Sequence, residues 1–288
     1  MQRINIGILV FFSMQISAVM ADDERKLLWL KNEVLEVAVD LESGGGLCHF
    51  SRVGEANVLN GYDRGRLVQQ SFYGDEDGSK WEKRAWRYNP VQGGDYKGVA
   101  SVVVDSKQES ELIFVRTTPR HWASGKLLPE CVMEETLRLE GEVLKVEFRF
   151  RYDGGKIHAA HHQELPAVFV EGTYSQLVNY RGDAPWSGAE LTRQTPGWPN
   201  IYGRSTEEWS AWVDAHGRGI GIFTPGTKEW TAYRFEGDKK VVGSECSYVA
   251  PYRTLALTPA LTVKYDAYLT IGTLEEIRER FKRLAIGK

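Results

Sequence analysis

Alternation of apolar and polar side chains predicts a chain built mainly from β-strands. Over Val143–Tyr152, apolar residues alternate with Lys, Glu and Arg. A period of two is typical of an antiparallel strand with one buried face. Glu140 and Gly141 come just before, so we expect a tight hairpin to a strand over Cys131–Leu139. The same alternation recurs over Leu261–Leu269.

Further runs rich in β-branched and aromatic residues predict additional strands. They are Val34–Leu41, Gly45–Val53, Ala100–Asp105, Glu111–Thr117, Leu165–Val170, Trp209–Val213, Gly219–Phe223 and Trp230–Phe235. Many short strands separated by turns are typical of sandwiches and barrels. We predict an all-β fold, a large antiparallel β-sandwich with a concave face, formed as one domain by residues 22–288.

One helix is predicted, at the C-terminal end of the chain. Thr273 can cap its first turn, and Glu276 completes a capping box. The apolar residues that follow at helical spacing are Leu274, Ile277, Phe281 and Leu284. We expect this helix to pack on the outside of the sheets or to cover a sheet edge.

The first 21 residues have the pattern of a secretory signal peptide. Arg3 supplies a positive start, residues 4–19 are mostly apolar, and small residues precede a cleavage point after Ala21. We therefore expect a secreted or periplasmic protein. A membrane anchor is the alternative, but the interrupted apolar run is shorter than the ~20 residues of a stable span.

Composition narrows the classes of ligand. A formal net charge of -3 argues against a nucleic-acid partner. The chain holds 9 Trp, 13 Tyr and 11 Phe, which favours a flat, amphipathic ligand such as a sugar. In an exported protein the three scattered cysteines allow at most one disulfide, and we interpret them as small buried residues.

A polar strand over residues 66–74 carries the first candidate ligand contacts. Alternation places Gln69, Ser71 and Tyr73 on one face and Arg66, Gln70 and Phe72 on the other. Amide and guanidinium groups, with Arg64 just before them, suit sugar hydroxyls, because each hydroxyl both donates and accepts. The alternative is an exposed strand whose polar residues bind nothing.

An aromatic, glycine-containing stretch follows. Its candidate binding residues are Trp81, Trp86, Gln92 and Tyr96, and its candidate catalytic residue is Asp95. Long irregular segments in compact domains are often functional, and indole faces stack on the apolar faces of sugar rings. The alternative is a loop packed by its own aromatic residues, with Asp95 as a turn cap.

The densest ionisable cluster is His158, His161, His162 and Glu164. In an extended chain His162 and Glu164 point the same way, so a carboxylate could orient an imidazole for acid–base chemistry. A metal site and a solvated loop are the alternatives. The spacing matches no strong metal motif, so we predict no metal.

The residues around Glu208 complete the set of candidate site residues. Glu208 stands beside Trp209 and downstream of Tyr202, as in sites where carboxylates flank a bound sugar. Asp63, Asp95, Glu164 and Glu208 are the carboxylates we predict for catalysis, with His162 and Tyr73 as possible bases. Nucleotide-binding, nucleophile-elbow and zinc-protease motifs are absent from the sequence, and we expect no cofactor.

Several blocks resemble galactose-mutarotase-like sandwiches. These are the Gly44-Gly45-Gly46 turn, Asn57–Asn60, and Tyr265–Gly272 before the helix. Asp63–Gly74 and Asn89–Tyr96 resemble secreted bacterial proteins that act on carbohydrates. The resemblance implies a His and a Glu doing acid–base work on a sugar, with His162 as the nearest match.

We therefore expect a carbohydrate-active enzyme that cleaves glycosidic bonds in a polysaccharide or oligosaccharide. Hydrolysis would use two carboxylates. Elimination from a uronic-acid polymer would use His162 or Tyr73 as base and Arg64 or Arg66 to neutralise the carboxylate. Hydrolysis is favoured because the chain is not basic. A non-catalytic glycan-binding module and a sugar epimerase are the alternatives.

Overall fold

A computed structural model describes residues 26–287 and shows an all-β sandwich closed by a C-terminal helix. In chain order the strands are β1 (Leu27–Lys31), β2 (Leu35–Asp40), β3 (Gly46–Arg52), β4 (Gln69–Ser71), β5 (Glu76–Trp81), β6 (Arg84–Arg87), β7 (Pro90–Val91), β8 (Val102–Gln108), β9 (Ile113–Thr118), β10 (Arg120–His121), β11 (Cys131–Glu140), β12 (Val143–Tyr152), β13 (His158–Glu171), β14 (Gln176–Asn179), β15 (Thr192–Gln194), β16 (Ile201–Arg204), β17 (Trp209–Val213), β18 (Arg218–Phe223), β19 (Glu229–Phe235), β20 (Cys246–Leu257) and β21 (Leu261–Thr273). The helix α1 is Leu274–Ile286. The predicted signal peptide, residues 1–21, lies outside the described residues.

Two large antiparallel sheets make up the sandwich. The nine-stranded sheet has the order β15-β14-β17-β18-β21-β12-β11-β9-β8. The seven-stranded sheet has the order β10-β7-β4-β13-β20-β19-β16. β1, β2 and β3 form a smaller sheet, and β5 and β6 form a separate hairpin. The all-β sandwich predicted from the alternation pattern is confirmed.

The inner faces of the two sheets share one apolar core. Strand β12 has the predicted bounds, and its buried residues pair with β11 on one side and β21 on the other. Across the core, the Phe72 ring stacks on Phe150 with 3.8 Å between ring centroids. Leu165, Val168 and Val249 point into the same core from β13 and β20. Alternation then directs their neighbours to the opposite, outer face of the seven-stranded sheet.

Helix α1 begins with the predicted capping box. The Thr273 hydroxyl accepts the Glu276 N–H, and the Glu276 carboxylate accepts the Thr273 N–H. Leu274, Ile277 and Phe281 are buried against the outer face of the nine-stranded sheet. The helix therefore covers that sheet. Within residues 26–287, no helix has the length and hydropathy that a membrane span requires.

A buried polar cluster sits between the two sheets. Gln92 Nε2 donates to Glu135 Oε2 (2.9 Å), and the Gln70 N–H donates to Gln92 Oε1 (3.1 Å). Gln70 Nε2 donates to the Glu134 carbonyl (3.0 Å). Gln70, Gln92 and Glu135 are almost completely inaccessible to solvent. The expectation that Gln70 and Gln92 contact a ligand is corrected: both side chains are buried between the sheets, where Gln92 bonds to Glu135 and to the Gln70 N–H, and Gln70 bonds to the Glu134 carbonyl.

Burial raises the pKa of Glu135 from 4.5 to about 8. Desolvation disfavours the carboxylate, and the hydrogen bond from Gln92 offsets only part of that cost. Ionisation is consequently harder in the folded protein than in the unfolded chain. The free energy of unfolding should fall as pH rises from about 4.5 through about 8.

Replacing Glu135 by Gln should flatten this pH dependence. We expect Glu135→Gln to gain stability relative to the wild type as pH rises from 5 to 9, on the order of a few kcal/mol. Urea unfolding at several pH values measures the difference. Glu147→Gln, at an exposed carboxylate paired with Lys145, is the control and should show no such trend. Parallel curves for wild type and Glu135→Gln would contradict the account.

Candidate active site on the outer face of the seven-stranded sheet

Glu164 occupies the centre of the outer face of the seven-stranded sheet. It lies in β13, where its Cα pairs with Ser71 of β4 and Tyr252 of β20. Pro166 follows closely and has no N–H for the ladder, and the β13–β20 register shifts between Glu164 and Val168. Bulges of this kind redirect side chains and are frequent next to active sites.

Two phenols hold the Glu164 carboxylate. Tyr73 Oη donates to Glu164 Oε1 (3.1 Å), and Tyr248 Oη donates a short hydrogen bond to the same oxygen. Ser71 adds a third hydrogen bond. Burial raises the pKa of Glu164, and these three hydrogen bonds offset part of the rise. Glu164 nevertheless keeps partial contact with solvent. It is therefore a carboxyl group suited to giving and taking a proton.

The same environment keeps the phenols protonated. Burial, with the added charge of Glu164, raises the pKa of Tyr73 and of Tyr248 well above its ordinary value. Both side chains thus act as neutral donors near pH 7. A base role for Tyr73, considered from the sequence, is disfavoured by this shift.

On the β4 side, a line of polar groups connects Glu164 to four aromatic side chains. Asn89 Nδ2 donates to Ser71 Oγ (3.3 Å), and Trp86 Nε1 donates to Asn89 Oδ1 (3.2 Å). We call Trp81, Trp86, Tyr96 and Trp122 the hairpin aromatic cluster. All four are partly exposed to solvent. The predicted ligand residues Trp81, Trp86 and Tyr96 are thus brought together.

On the β20 side, the aromatic contacts continue outward. The Tyr248 ring lies 4.6 Å from that of Tyr233, which lies 4.8 Å from Trp198. Trp198 also approaches Phe235, at 6.3 Å. We call Trp198, Tyr233 and Phe235 the β19 aromatic cluster. Its largest member, Trp198, is 57% exposed.

Arg66 and Asp63 border the β19 aromatic cluster. Arg66 Nη1 donates to the Ser244 carbonyl (2.6 Å), and its Nε lies 3.6 Å from Asp63 Oδ2. The guanidinium also lies 5.7 Å from the Phe235 ring centroid. Burial raises the pKa of Tyr233, and the charges of Glu164 and Asp63 contribute to the rise. Two of the four predicted carboxylates, Glu164 and Asp63, therefore lie within electrostatic reach of the Tyr233 phenol.

His162 lies on the same strand and face as Glu164, as alternation predicted. Two residues along a strand are separated by about 6.8 Å. The His162 ring contacts Tyr252 at 4.2 Å and Tyr202 at 5.8 Å, and its Nδ1 lies 3.0 Å from Thr254 Oγ1. Its side chain is exposed. Tyr202 and His162 thus extend the polar and aromatic surface along β13.

No protein-family model matches the sequence, and no curated protein matches it. Solved structures do match. A galactose mutarotase-like protein from Lactobacillus casei superposes with a TM-score of 0.56 at 12% identity, covering 85% of this chain and 99% of that one. A galactose mutarotase related enzyme from Lactobacillus acidophilus gives 0.52 at 11% identity, covering 85% and 97%.

This chain has the galactose-mutarotase-like β-sandwich fold. The 4-α-glucanotransferase from Thermococcus litoralis contains a similar sandwich, with a TM-score of 0.52 at 10% identity, covering 86% of this chain and 38% of that one. At these identities the likeness concerns the fold, as the resemblance noted in the sequence implied.

The histidines that the sequence analysis grouped into one cluster have separate surroundings in the sandwich. His158 is buried and stacks on Tyr88 at 4.6 Å, while His161 Nε2 lies 3.0 Å from Asp75 Oδ1. The β13 register shifts between His158 and Ala160, which breaks the simple alternation. Within residues 26–287, no group of three or more His, Cys, Asp or Glu side chains is placed to hold a metal ion.

Three predicted polar residues serve the loops of the galactose-mutarotase-like sandwich. Asp95 Oδ1 accepts the N–H groups of residues 97 and 99, so it caps its own turn. Gln69 Oε1 accepts the Gly93 N–H, and its Nε2 donates to the Arg64 carbonyl. Arg64 donates to the Gly98 carbonyl. Asp95, Gln69 and Arg64 are therefore removed from the candidate site, since their side chains bond within these loops.

Glu208 and Trp209 belong to the other sheet, at the start of β17. Glu208 Oε2 accepts the Gly226 N–H (2.7 Å) in a turn. Trp209 is buried under α1, and its Nε1 donates to Glu207 (2.8 Å). The expectation of a catalytic Glu208 with a substrate-binding Trp209 is therefore corrected. The three cysteines, Cys48, Cys131 and Cys246, are buried.

Tyr248 and Tyr233 were not among the sequence candidates. Tyr248 lies on β20, which the sequence analysis did not predict as a strand, because Tyr, Ala, Val and Pro give apolar residues on both faces. Tyr233 lies on β19, which was predicted as a strand without a ligand role. A search for tyrosines on one face of an extended run, such as Tyr248 and Tyr252 four residues apart, would have drawn attention to this surface.

Removing the Tyr248 hydroxyl should raise the pKa of Glu164 further, because that hydrogen bond stabilises the carboxylate. The measurement is a carbon-13 NMR titration of protein labelled at the Glu carboxyl carbon, with the Glu164 resonance assigned from Glu164→Gln. Tyr248→Phe should move the midpoint upward, and Tyr73→Phe should do so by less. Tyr202→Phe is the control and should leave it in place. A midpoint that falls in Tyr248→Phe contradicts the assignment.

Proposed function

We propose that the protein is a carbohydrate-active enzyme that hydrolyses glycosidic bonds of a polysaccharide or oligosaccharide. The observation that carries the proposal is Glu164, a carboxyl group with a raised pKa on a face flanked by aromatic side chains. The galactose-mutarotase-like fold supports a sugar ligand, since relatives of this fold are named as mutarotase-like, glucanotransferase and galactosidase proteins. Because a polymer is met outside the cytoplasm, we also propose export after cleavage near Ala21.

Glu164 is assigned the role of general acid. Its raised pKa favours the protonated form that donates to a leaving oxygen, as in glycosidases where the acid carboxyl is buried. Asp63 is assigned the second role because Asp95 is buried and Glu208 lies next to β17 of the other sheet; one Asp63 oxygen accepts the Gly65 N–H (2.8 Å) and the other faces Arg66. Asp63 is exposed and lies beside Arg66, in a position open to water.

Elimination is less well supported than hydrolysis. A phenol with the raised pKa of Tyr73 is a poor base near pH 7. Arg66, the group that would neutralise a uronate, already donates to Ser244 and lies beside Asp63. Its charge is therefore largely compensated before any substrate binds.

Sugar epimerisation is a second candidate. The observation that favours it is the placement of His162 and Glu164 on one strand and one face, separated by about 6.8 Å. Such a pair can protonate and deprotonate opposite sides of one sugar ring. Polarimetry on free hexoses distinguishes this activity, because anomer exchange proceeds without new reducing ends.

The decisive experiment is a screen of purified protein on plant, algal and bacterial polysaccharides. We expect new reducing ends without absorbance from unsaturated uronates. Glu164→Gln should lose roughly 10²- to 10⁴-fold of the turnover while keeping substrate binding, because it removes only the proton transfer. Glu147→Gln, on the outer face of the nine-stranded sheet, is the matched control and should keep full turnover.

Each other outcome identifies a different function. Reducing ends together with uronate absorbance mean elimination. Accelerated anomer exchange without cleavage means an epimerase. Binding that Trp86→Ala abolishes, without turnover in the wild type, means a glycan-binding module. Full turnover in Glu164→Gln overturns the assignment of Glu164.

A further inference from the structure

Two separate aromatic clusters flank Glu164, one at each side of the outer face. The hairpin aromatic cluster lies beyond β4, and the β19 aromatic cluster lies beyond β20. Glu164, on β13, is between them in the strand order β7-β4-β13-β20-β19. The distance between the two clusters determines the length of glycan that the site accepts, if the protein binds glycans as proposed above.

The hairpin aromatic cluster is an open set of rings rather than a closed core. The Trp81 ring lies 4.9 Å from Trp86 and 5.9 Å from Trp122, nearly perpendicular to both. Tyr96 approaches Trp122 at 6.3 Å. Each ring keeps part of its surface in solvent. Trp86 is held in place by its hydrogen bond to Asn89.

The β19 aromatic cluster is more exposed still. Trp198 is 57% exposed and Phe235 is 38% exposed, and Tyr233, which contacts Trp198, is half-buried. Phe235 ends β19, whereas Trp198 lies in the loop before β16. Exposed aromatic surface is costly in water, and grouped patches of this kind commonly mark binding sites. The Trp198 and Tyr233 ring planes are 85° apart, and the exposed surface of Trp198 is available for stacking.

A continuous chain of contacts joins the two clusters through Glu164. It runs from Trp198 to Tyr233, Tyr248, Glu164, Ser71, Asn89 and Trp86. Four strand spacings separate β7 from β19, or about 19 Å. That distance far exceeds the width of one sugar ring. A ligand that touches both clusters must therefore lie across the strands.

We infer that the site binds an internal segment of a glycan chain, with one sugar at Glu164 and at least one further sugar stacked on each aromatic cluster. Bonds inside the chain are then cleaved in preference to terminal ones. A free monosaccharide reaches only the central groups, so it binds weakly.

The test uses Glu164→Gln protein, which holds substrate without turning it over. The probes are size-fractionated fragments of one to six sugars, made by partial acid hydrolysis of the polysaccharide cleaved in the screen. Calorimetry should show affinity that rises about tenfold or more from the single sugar to the longest fragment. The wild type should lower the viscosity of the polysaccharide well before reducing ends accumulate.

Single substitutions then test how much each aromatic cluster contributes to binding. Trp198→Ala and Trp86→Ala, each added to Glu164→Gln, should weaken binding of the longest fragment by about tenfold and leave the single sugar unaffected. Trp86→Phe keeps a ring and should lose less. Trp29→Ala is the control: Trp29 is similarly exposed, at 38%, but lies on β1 of the small sheet.

The results separate this inference from the proposed function. Equal affinity for one sugar and for six overturns the inference while leaving the hydrolase intact, as does loss of binding from only one cluster. Absence of binding to fragments of every length also overturns the inference, whereas the proposed function fails only if the screen finds no cleaved polysaccharide. Equal losses for single sugar and hexamer in Trp198→Ala also contradict separate subsites.

Discussion

The hydrogen bonds from Tyr73 and Tyr248 to one oxygen of Glu164 are the interaction on which the site depends. A carboxylate at this depth is costly unless donors compensate for the lost water. Each of its three polar partners is delivered by a neighbouring strand, with Ser71 and Tyr73 at β4 and Tyr248 on β20. The register of three strands therefore sets the acidity of one group. A slip by one residue would turn every one of these side chains into the core.

Burial raises the pKa of both Glu135 and Glu164, and comparing the two shows why the shift alone does not identify a site. Glu135 lies between the sheets, nearly inaccessible to solvent, and bonds to Gln92. Glu164 lies on the outer face, touches solvent, and is bordered by exposed aromatic rings. A proton can reach a substrate only from the second position. The ionisation of buried Glu135 instead makes the free energy of unfolding depend on pH.

Much of the fold could be predicted from the sequence, because single strands and a helix cap are local patterns. The bounds of β12 and the capping box at Thr273 are confirmed. The candidate site could be predicted only in part. Ser71, Tyr73, His162 and Glu164 follow from alternation, but Tyr248 lies on a strand that is apolar on both faces, so no period was visible. Gln70 and Gln92 are of a residue type that often binds sugar hydroxyls, so the sequence suggested a ligand role for both. Their partner Glu135 comes from a distant strand, and no local pattern reveals that pairing.

The central claim is that Glu164 delivers a proton to the glycosidic oxygen of a chain lying across the strands. A crystal structure of Glu164→Gln with a fragment of the cleaved polysaccharide tests it most directly. The account predicts a glycosidic oxygen at about 2.6–3.2 Å from the side chain of residue 164, with sugars stacked on Trp86 and on Trp198. A fragment bound elsewhere, or held with its glycosidic oxygens turned away from residue 164, would contradict it.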